Sequence, residues 1–197
     1  MTHHMNQIDQ VLTSLRRVIR AIDLHSRQLV KTASVTGPQL RLLQLIRHVN
    51  QNILHQQTTH PDYSDMHTTI CMLVINQRSG QAAWLHVGDS RVYHFHHTVL
   101  RSRTKDHSVL QWMQDQQQPE HAQARNALYT AIGEQAEQLQ VDVSSPCKVS
   151  PGDWFLLCSD GLWEHFTDEE LGLLGSNLKH DRGCSSHIHQ LALSRSQ

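Results

Sequence analysis

Two apolar segments that each run into an acidic turn place the strongest constraint on this 197-residue chain. Residues 84–93 read Trp-Leu-His-Val-Gly-Asp-Ser-Arg-Val-Tyr, and residues 151–162 read Pro-Gly-Asp-Trp-Phe-Leu-Leu-Cys-Ser-Asp-Gly-Leu. Their apolar residues predict strands, and the Gly, Asp and Ser residues predict turns. An Asp held at the end of a rigid strand is a preorganised ligand for a hard divalent cation. Asp89 and Asp160 are therefore the first candidate metal ligands.

The bulk properties exclude several classes of function. The formal net charge is −1, from 17 basic and 18 acidic side chains, so the chain lacks the basic footprint of a protein that binds nucleic acid or an anionic membrane. The longest apolar run, residues 70–75, is too short to span a bilayer. The N-terminus does not resemble a secretory signal, and the four cysteines show no paired spacing. We therefore expect a cytoplasmic protein with reduced thiols.

The 17 histidines allow two interpretations. His86, His94, His96 and His97 fall around one predicted hairpin, and His94 and His96 share a strand face there. Imidazole suits Zn, Cu or Ni, so these residues could form a transition-metal site. Alternatively, a composition rich in His and Gln scatters histidines along exposed faces, and no Cys or carboxylate stands at ligand spacing beside these four.

The hydrophobic pattern predicts a helical N-terminal segment, 1–45, followed by a domain over 46–197. Apolar residues at steps of three and four predict a helix over 8–22. Pro38, after Thr36 and Gly37, predicts the start of a second helix that runs to about residue 55. Strands are expected over 68–75, 82–87, 91–95, 99–100 and 154–158, with the first and last of these buried. Helices are expected around 109–113 and over 168–174, the latter opened by a capping box of Thr167 and Glu170.

Further segments accompany the two acidic turns in a fixed order. They are residues 65–69 (Asp-Met-His-Thr-Thr), 104–108 (Thr-Lys-Asp-His-Ser), 125–128 (Arg-Asn-Ala-Leu) and 131–133 (Ala-Ile-Gly). Together with Gly88-Asp89-Ser90-Arg91 and Ser159-Asp160-Gly161-Leu162, they resemble the PPM or type 2C metal-dependent protein serine/threonine phosphatases of bacteria. The resemblance covers about residues 45–197, and His67 departs from the Gly that the family usually has at that position.

This resemblance implies an α+β fold, an antiparallel β-sandwich flanked by helices. It also implies two Mn²⁺ or Mg²⁺ ions that activate a water for attack on phosphoserine or phosphothreonine proteins. By position, Asp160 matches a ligand of the first catalytic metal and Asp89 a ligand of an additional metal. Gly161 would let the backbone turn tightly beside the ion, whereas Arg91 and Asp106 are expected to hold the fold.

The chain does not contain several parts of the family pattern. The opening phosphate-binding Arg with Asn-Glu-Asp and the Asp-Gly-X-Gly-Gly segment do not occur, and the chain stops about where a closing Asp-Asn pair is due. We therefore expect a domain truncated at both ends, an incomplete sandwich, weak Mn²⁺ or Mg²⁺ binding and no assignable catalytic residue. The expected identity is a phosphatase with impaired or absent activity; the alternative is a non-catalytic interaction module.

Residues 5–45 resemble the opening of a MarR-type winged-helix regulator, whose first helix serves dimerisation and whose second begins at a turn like Thr36-Gly37-Pro38-Gln39. This resemblance implies a homodimer formed through the N-terminal helix; the alternative is a helix packed on the phosphatase segment. The match ends before any recognition helix, so no nucleic-acid partner is expected.

Overall fold

The computed structural model describes residues 36–118, 127–177 and 192–195. In this part of the chain, two antiparallel sheets face each other and helices cover their outer faces, which confirms the predicted α+β fold. The helices are α1 (Gly37–Thr59), α2 (Val109–Asp115), α3 (Asp160–Trp163) and α4 (Asp168–Asn177), with a 3₁₀ turn at Pro61–Tyr63 and a helical turn over 192–195. The strands are β1 (Ile70–Asn76), β2 (Gln81–Val87), β3 (Arg91–His96), β4 (Val99–Arg103), β5 (Asp142–Val143), β6 (Cys147–Lys148) and β7 (Asp153–Cys158). The helix predicted over 8–22 lies outside the described residues.

Sheet 1 is built on the hairpin of β1 and β2. Its register runs from Ile70 opposite Val87 to Asn76 opposite Gln81. The short strands β5 and β6 pair with the other edge of β2. Neither was predicted, because two residues are too few to show the alternation that marks a strand.

Sheet 2 has the order β4-β3-β7, with β3 in the centre. Arg91 pairs with Cys158 and His96 with Asp153, so the start of β3 lies beside the end of β7. The indole of Trp84 on β2 joins the two sheets, with its ring 6.1 Å from that of His94 and 6.0 Å from that of Phe155. Successive side chains along each strand thus point alternately to the inner and the outer face of the sandwich.

The outer faces carry the apolar clusters that fix the helices. On sheet 1, Leu42 and Ile46 of α1 pack against three other fully buried residues, Leu85, Val87 and Ile132. On sheet 2, α4 packs on β3 through Leu171, together with Tyr93, Phe95, Phe166 and Ala192. The α4 helix approaches the turn between β3 and β4 so closely that a Cβ at Gly172 would overlap the carbonyl oxygen of Thr98. This contact explains why a glycine lies inside the helix.

Most helix boundaries agree with those predicted from the sequence. The capping box at the start of α4 is confirmed: the Thr167 amide donates to Glu170 Oε2 (2.9 Å), and the Glu170 amide donates to Thr167 Oγ1 (3.2 Å). The second predicted helix begins at Gly37 and runs on to Thr59, through position 45 without a break. The division proposed at residue 45 falls inside this helix and stays a prediction made from the sequence.

Two strands differ from expectation in burial. β1 and β7 were predicted to be buried, but their side chains are mostly half-buried, and Ile75 and Leu157 are 48% and 40% exposed. Each strand lies at the edge of its sheet in the described ranges, where fewer neighbours cover it. No helix within those ranges is long and apolar enough to cross a membrane.

Candidate functional site

Asp89 lies in the turn that carries the chain from β2 in sheet 1 to β3 in sheet 2. The turn depends on Gly88, which has φ +95° and whose Cβ, if present, would lie 2.4 Å from Thr69 Cγ2. Only glycine combines that conformation with that closeness. The hydroxyl groups of Thr69 and Ser90 are hydrogen-bonded at 2.8 Å. The turn is therefore anchored on both sides of Asp89.

Asp160 follows β7 and opens the short helix α3. Because Arg91 pairs with Cys158, the strand that begins after Asp89 lies beside the strand that ends before Asp160. The two acidic turns thus meet at one end of the sandwich, although 71 positions separate them in the sequence (160 − 89). Asp160 is exposed, and its Oδ1 accepts a hydrogen bond from the Gly161 amide at 2.8 Å.

The electrostatics of the pair suit a cation. Partial burial raises the pKa of the Asp89 carboxyl, and the negative charge of Asp160 raises it further. Divalent cations bound by such carboxylates offset their repulsion. The residues present therefore fit a hard cation such as Mn²⁺ or Mg²⁺, with Asp89 and Asp160 as the groups that would hold it.

Trp163 connects the two turns. Its indole Nε1–H donates to the carbonyl oxygen of Asp89 at 3.0 Å, and Trp163 itself belongs to α3, the helix that Asp160 opens. The guanidinium carbon of Arg91 lies 3.4 Å from the centre of the Trp163 ring, a cation–π contact. The sequence offered no signal for this role, because an indole after an acidic turn is also an ordinary core residue.

Arg91 completes the support of the site. It donates to both carboxylate oxygens of Asp106 at 2.7 Å and to Tyr93 Oη at 3.0 Å. Burial alone would lower the pKa of Arg91, but the hydrogen bonds to Asp106 and Tyr93 outweigh it and raise the pKa. These contacts agree with the structural role predicted for Arg91 and Asp106.

The conformational role predicted for Gly161 does not hold. Gly161 is a helical residue of α3, and its φ is outside the left-handed region that favours glycine. A Cβ at this position would meet only Ser159 Oγ, at 3.8 Å, which is an ordinary contact. The backbone turns tightly at Gly88 instead, beside the other predicted ligand.

Two of the hairpin histidines contact a carboxylate that neither interpretation of the sequence included. His94 and His96 share the carboxylate of Asp153, at 3.4 Å from His94 Nε2 and 2.8 Å from His96 Nδ1. This carboxylate was not expected, because it is contributed by β7, more than 50 residues further along the sequence. The described ranges contain one group of three His, Cys or acidic residues whose donor atoms lie close enough together to share an ion. It consists of His86, His107 and Asp142. Neither Asp89 nor Asp160 belongs to that group.

The chain is similar to known protein phosphatases. The family model described as "Protein phosphatase 2C" matches residues 15–182. The serine/threonine phosphatase stp of Listeria monocytogenes is 30% identical over 148 residues, which are 71% of this chain and 57% of that protein. The protein phosphatase PhpP of Streptococcus pneumoniae is 34% identical over 127 residues, 62% of this chain and 50% of that one. The matches thus span 57% and 50% of the lengths of these two curated relatives.

Solved structures have the same fold. PppA of Pseudomonas aeruginosa, described as a regulatory component of a type VI secretion system, is 31% identical with a TM-score of 0.61; the match covers 75% of this chain and 61% of PppA. The catalytic domain of the phosphatase PstP, solved with two manganese ions, is 23% identical with a TM-score of 0.64 and covers 91% of this chain and 75% of that one. At 23% identity the second likeness concerns the fold alone.

Proposed function

Since the chain belongs to the protein phosphatase 2C family, we propose that it binds Mn²⁺ or Mg²⁺ through Asp89 and Asp160 and that it is a serine/threonine phosphatase with impaired turnover. The observation that carries the proposal is the meeting of the two acidic turns at one end of the sandwich. When bound, such an ion acts as a Lewis acid and makes a water nucleophilic near neutral pH. The chain's own part is to hold the two carboxylates in place through Gly88 and Trp163.

The small number of ligands supports impaired turnover. Hard cations take about six oxygen ligands, several of them from carboxylates. Asp89 and Asp160 supply two carboxylates, and in the described ranges neither belongs to a group of three or more His, Cys or acidic residues whose donor atoms could share an ion. Arg91 donates to Asp106 through Nε and Nη2 and to Tyr93 through Nη1, so it does not offer the bidentate grip on phosphate that this chemistry favours.

The proposed partners are phosphoserine and phosphothreonine proteins in the cytoplasm. The names of the relatives support this substrate class, since those in Listeria are serine/threonine phosphatases. The same shortage of carboxylates supports an alternative, in which the chain binds a phosphoprotein without hydrolysing it.

We further propose a helical segment at 1–45, attached to a domain at 46–197, that makes the chain a homodimer.

The test is Mn²⁺-dependent hydrolysis of p-nitrophenyl phosphate and of a phosphothreonine peptide by the full chain. Asp160→Asn removes one proposed ligand. Asp62→Asn is the matched control, because Asp62 is an exposed acid in the 3₁₀ turn outside the site. We expect slow turnover that Asp160→Asn abolishes and Asp62→Asn leaves unchanged.

Calorimetry with Mn²⁺ separates the two readings of the site. Mn²⁺ binding that Asp160→Asn removes, without turnover in either protein, would support the non-catalytic alternative. A folded chain that neither binds Mn²⁺ nor hydrolyses either substrate would refute the proposed site altogether.

A further inference from the structure

A second group of potential ligands lies beside the Asp89 turn. His86 belongs to β2, His107 to the loop before α2, and Asp142 to β5. Each offers one donor atom, and these atoms all lie within 4.8 Å of one another. The two histidines are 2% and 1% exposed, whereas half of the Asp142 side chain is exposed. Two buried imidazoles therefore meet a carboxylate at the protein surface.

The His107 ring carries the observation that points to a ligand. Its Nε2 is buried without a hydrogen-bond partner, and burial of an unpaired polar atom is unfavourable. Asp142 Oδ2 lies 3.3 Å from this atom. Bonds of about 2.0–2.2 Å to a tetrahedral Zn²⁺ place two neighbouring ligand atoms roughly 3.4 Å apart. The two atoms thus already have the separation that a shared ion requires.

The His86 ring is prepared for the same task. Its Nε2 lies 2.6 Å from the carbonyl oxygen of Lys105. A carbonyl only accepts, so Nε2 carries the proton and Nδ1 keeps its lone pair. Histidines that bind metals usually donate their other ring N–H to a carbonyl or carboxylate in this way. The His86 and His107 rings lie 4.4 Å apart, tilted by 31°.

We propose that His86, His107 and Asp142 form a binding site for a first-row transition metal ion of the Zn²⁺ type, separate from the carboxylate pair of Asp89 and Asp160. Two imidazoles and one carboxylate suit Zn²⁺, whereas Mg²⁺ and Mn²⁺ prefer oxygen ligands. Three protein ligands leave the fourth tetrahedral position to water. The half-exposed side chain of Asp142 leaves the site accessible from solvent.

An ion at this site would affect the Asp89 turn. The Gly88 amide donates to His107 Nδ1 at 3.2 Å, which places the ring proton on Nε2 in the absence of metal. For the neutral ring to bind an ion at Nε2, that proton has to move to Nδ1, and a protonated Nδ1 can no longer accept from the Gly88 amide.

The test is a calorimetric titration of the full chain with Zn²⁺ in an excess of Mg²⁺, which competes for the carboxylate pair but poorly for imidazoles. We expect one tight site in the unchanged chain. Asp142→Asn and His86→Gln should each weaken it by at least about tenfold. His96→Gln is the matched control, because it removes a partly exposed histidine outside the site, and it should leave the affinity unchanged.

Two further results complete the test. Co²⁺ bound in place of Zn²⁺ should give the visible absorption of a tetrahedral ion, which Asp142→Asn abolishes while the melting temperature shows that the metal-free variant is folded. Asp160→Asn should retain the Zn²⁺ site. The inference is overturned if the folded chain has no tight site, if Asp142→Asn and His86→Gln leave it unchanged, or if Asp160→Asn removes it.

Discussion

Gly88→Ala perturbs the turn that carries Asp89 and should destabilise the protein strongly. Gly88 has φ +95°, and a new Cβ would lie 2.4 Å from Thr69 Cγ2, 2.7 Å from Thr69 Cβ and 3.3 Å from the backbone Cα of Thr69. The substitution therefore combines an unfavourable backbone conformation with an atomic overlap that the hydrogen-bonded Thr69 side chain cannot easily relieve.

The expected magnitude follows from these two effects. A residue with a side chain held at such a φ costs about 1–3 kcal/mol, and overpacking costs about 1–3 kcal/mol more. A loss of about 2–6 kcal/mol is a large part of the roughly 5–15 kcal/mol by which a domain is stable. For a chain of this length it corresponds to a fall in melting temperature of roughly 4–24 °C.

Two other glycines separate the contributions. Gly80 has φ +63° but nothing within 4 Å, so Gly80→Ala should cost only about 1–2 kcal/mol from the backbone. Gly161→Ala should be neutral or slightly stabilising, because Gly161 is helical and a Cβ there would meet only Ser159 Oγ at 3.8 Å.

Urea unfolding and calorimetric melting of the metal-free chains measure the series. Adding Thr69→Ser to Gly88→Ala removes the closest overlapping atom and should restore about 1 kcal/mol. The reasoning is refuted if Gly88→Ala destabilises the protein no more than Gly80→Ala, or if Thr69→Ser gives no recovery in the double variant.

Three further predictions concern the site and the N-terminal segment. Arg91→Lys loses a buried bidentate ion pair and should lower the free energy of unfolding, measured with urea, by about 2 kcal/mol. The control is Arg103→Lys, in a more exposed ion pair, which should change the free energy of unfolding by less than about 1 kcal/mol. Folding raises the pKa of Asp89, so stability from this group is lost as the pH rises from its unfolded-state pKa to its folded-state pKa. At neutral pH without metal, Asp89→Asn should therefore melt at a higher temperature than the unchanged chain, and Mn²⁺ should not raise its melting temperature further. A metal-free melting temperature equal to or lower than that of the unchanged chain would contradict this. Deletion of residues 1–35 should change the number of chains per particle, measured by light scattering as the mass in solution divided by the chain mass, from two to one. A ratio that stays at two would refute dimerisation through the helix predicted over 8–22.

The longer elements could be predicted because their local patterns are strong. The strands on either side of Gly88 and the capping box at Thr167 were located within a few residues, since alternation and capping chemistry act between near neighbours. The two-residue strands β5 and β6 carry no such signal, and their pairing with β2 depends on contacts about 60 residues away. The partial burial of β1 and β7 also depends on which elements cover them, and no local pattern records that.

The amino-acid sequence by itself determined the identity of the candidate ligands. An Asp after an apolar run marks the end of a strand, and both Asp89 and Asp160 stand at such ends. Only the tertiary structure decided which groups meet. The pairing of β3 with β7 brings Asp89 to Asp160, places Trp163 against the Asp89 carbonyl, and gives His94 and His96 a shared carboxylate. Another pairing, that of β2 with β5, sets His86 opposite Asp142. The physical reason is that strand formation depends on neighbouring residues, whereas electrostatic repulsion, hydrogen bonding and metal coordination act through space between residues that the chain holds far apart.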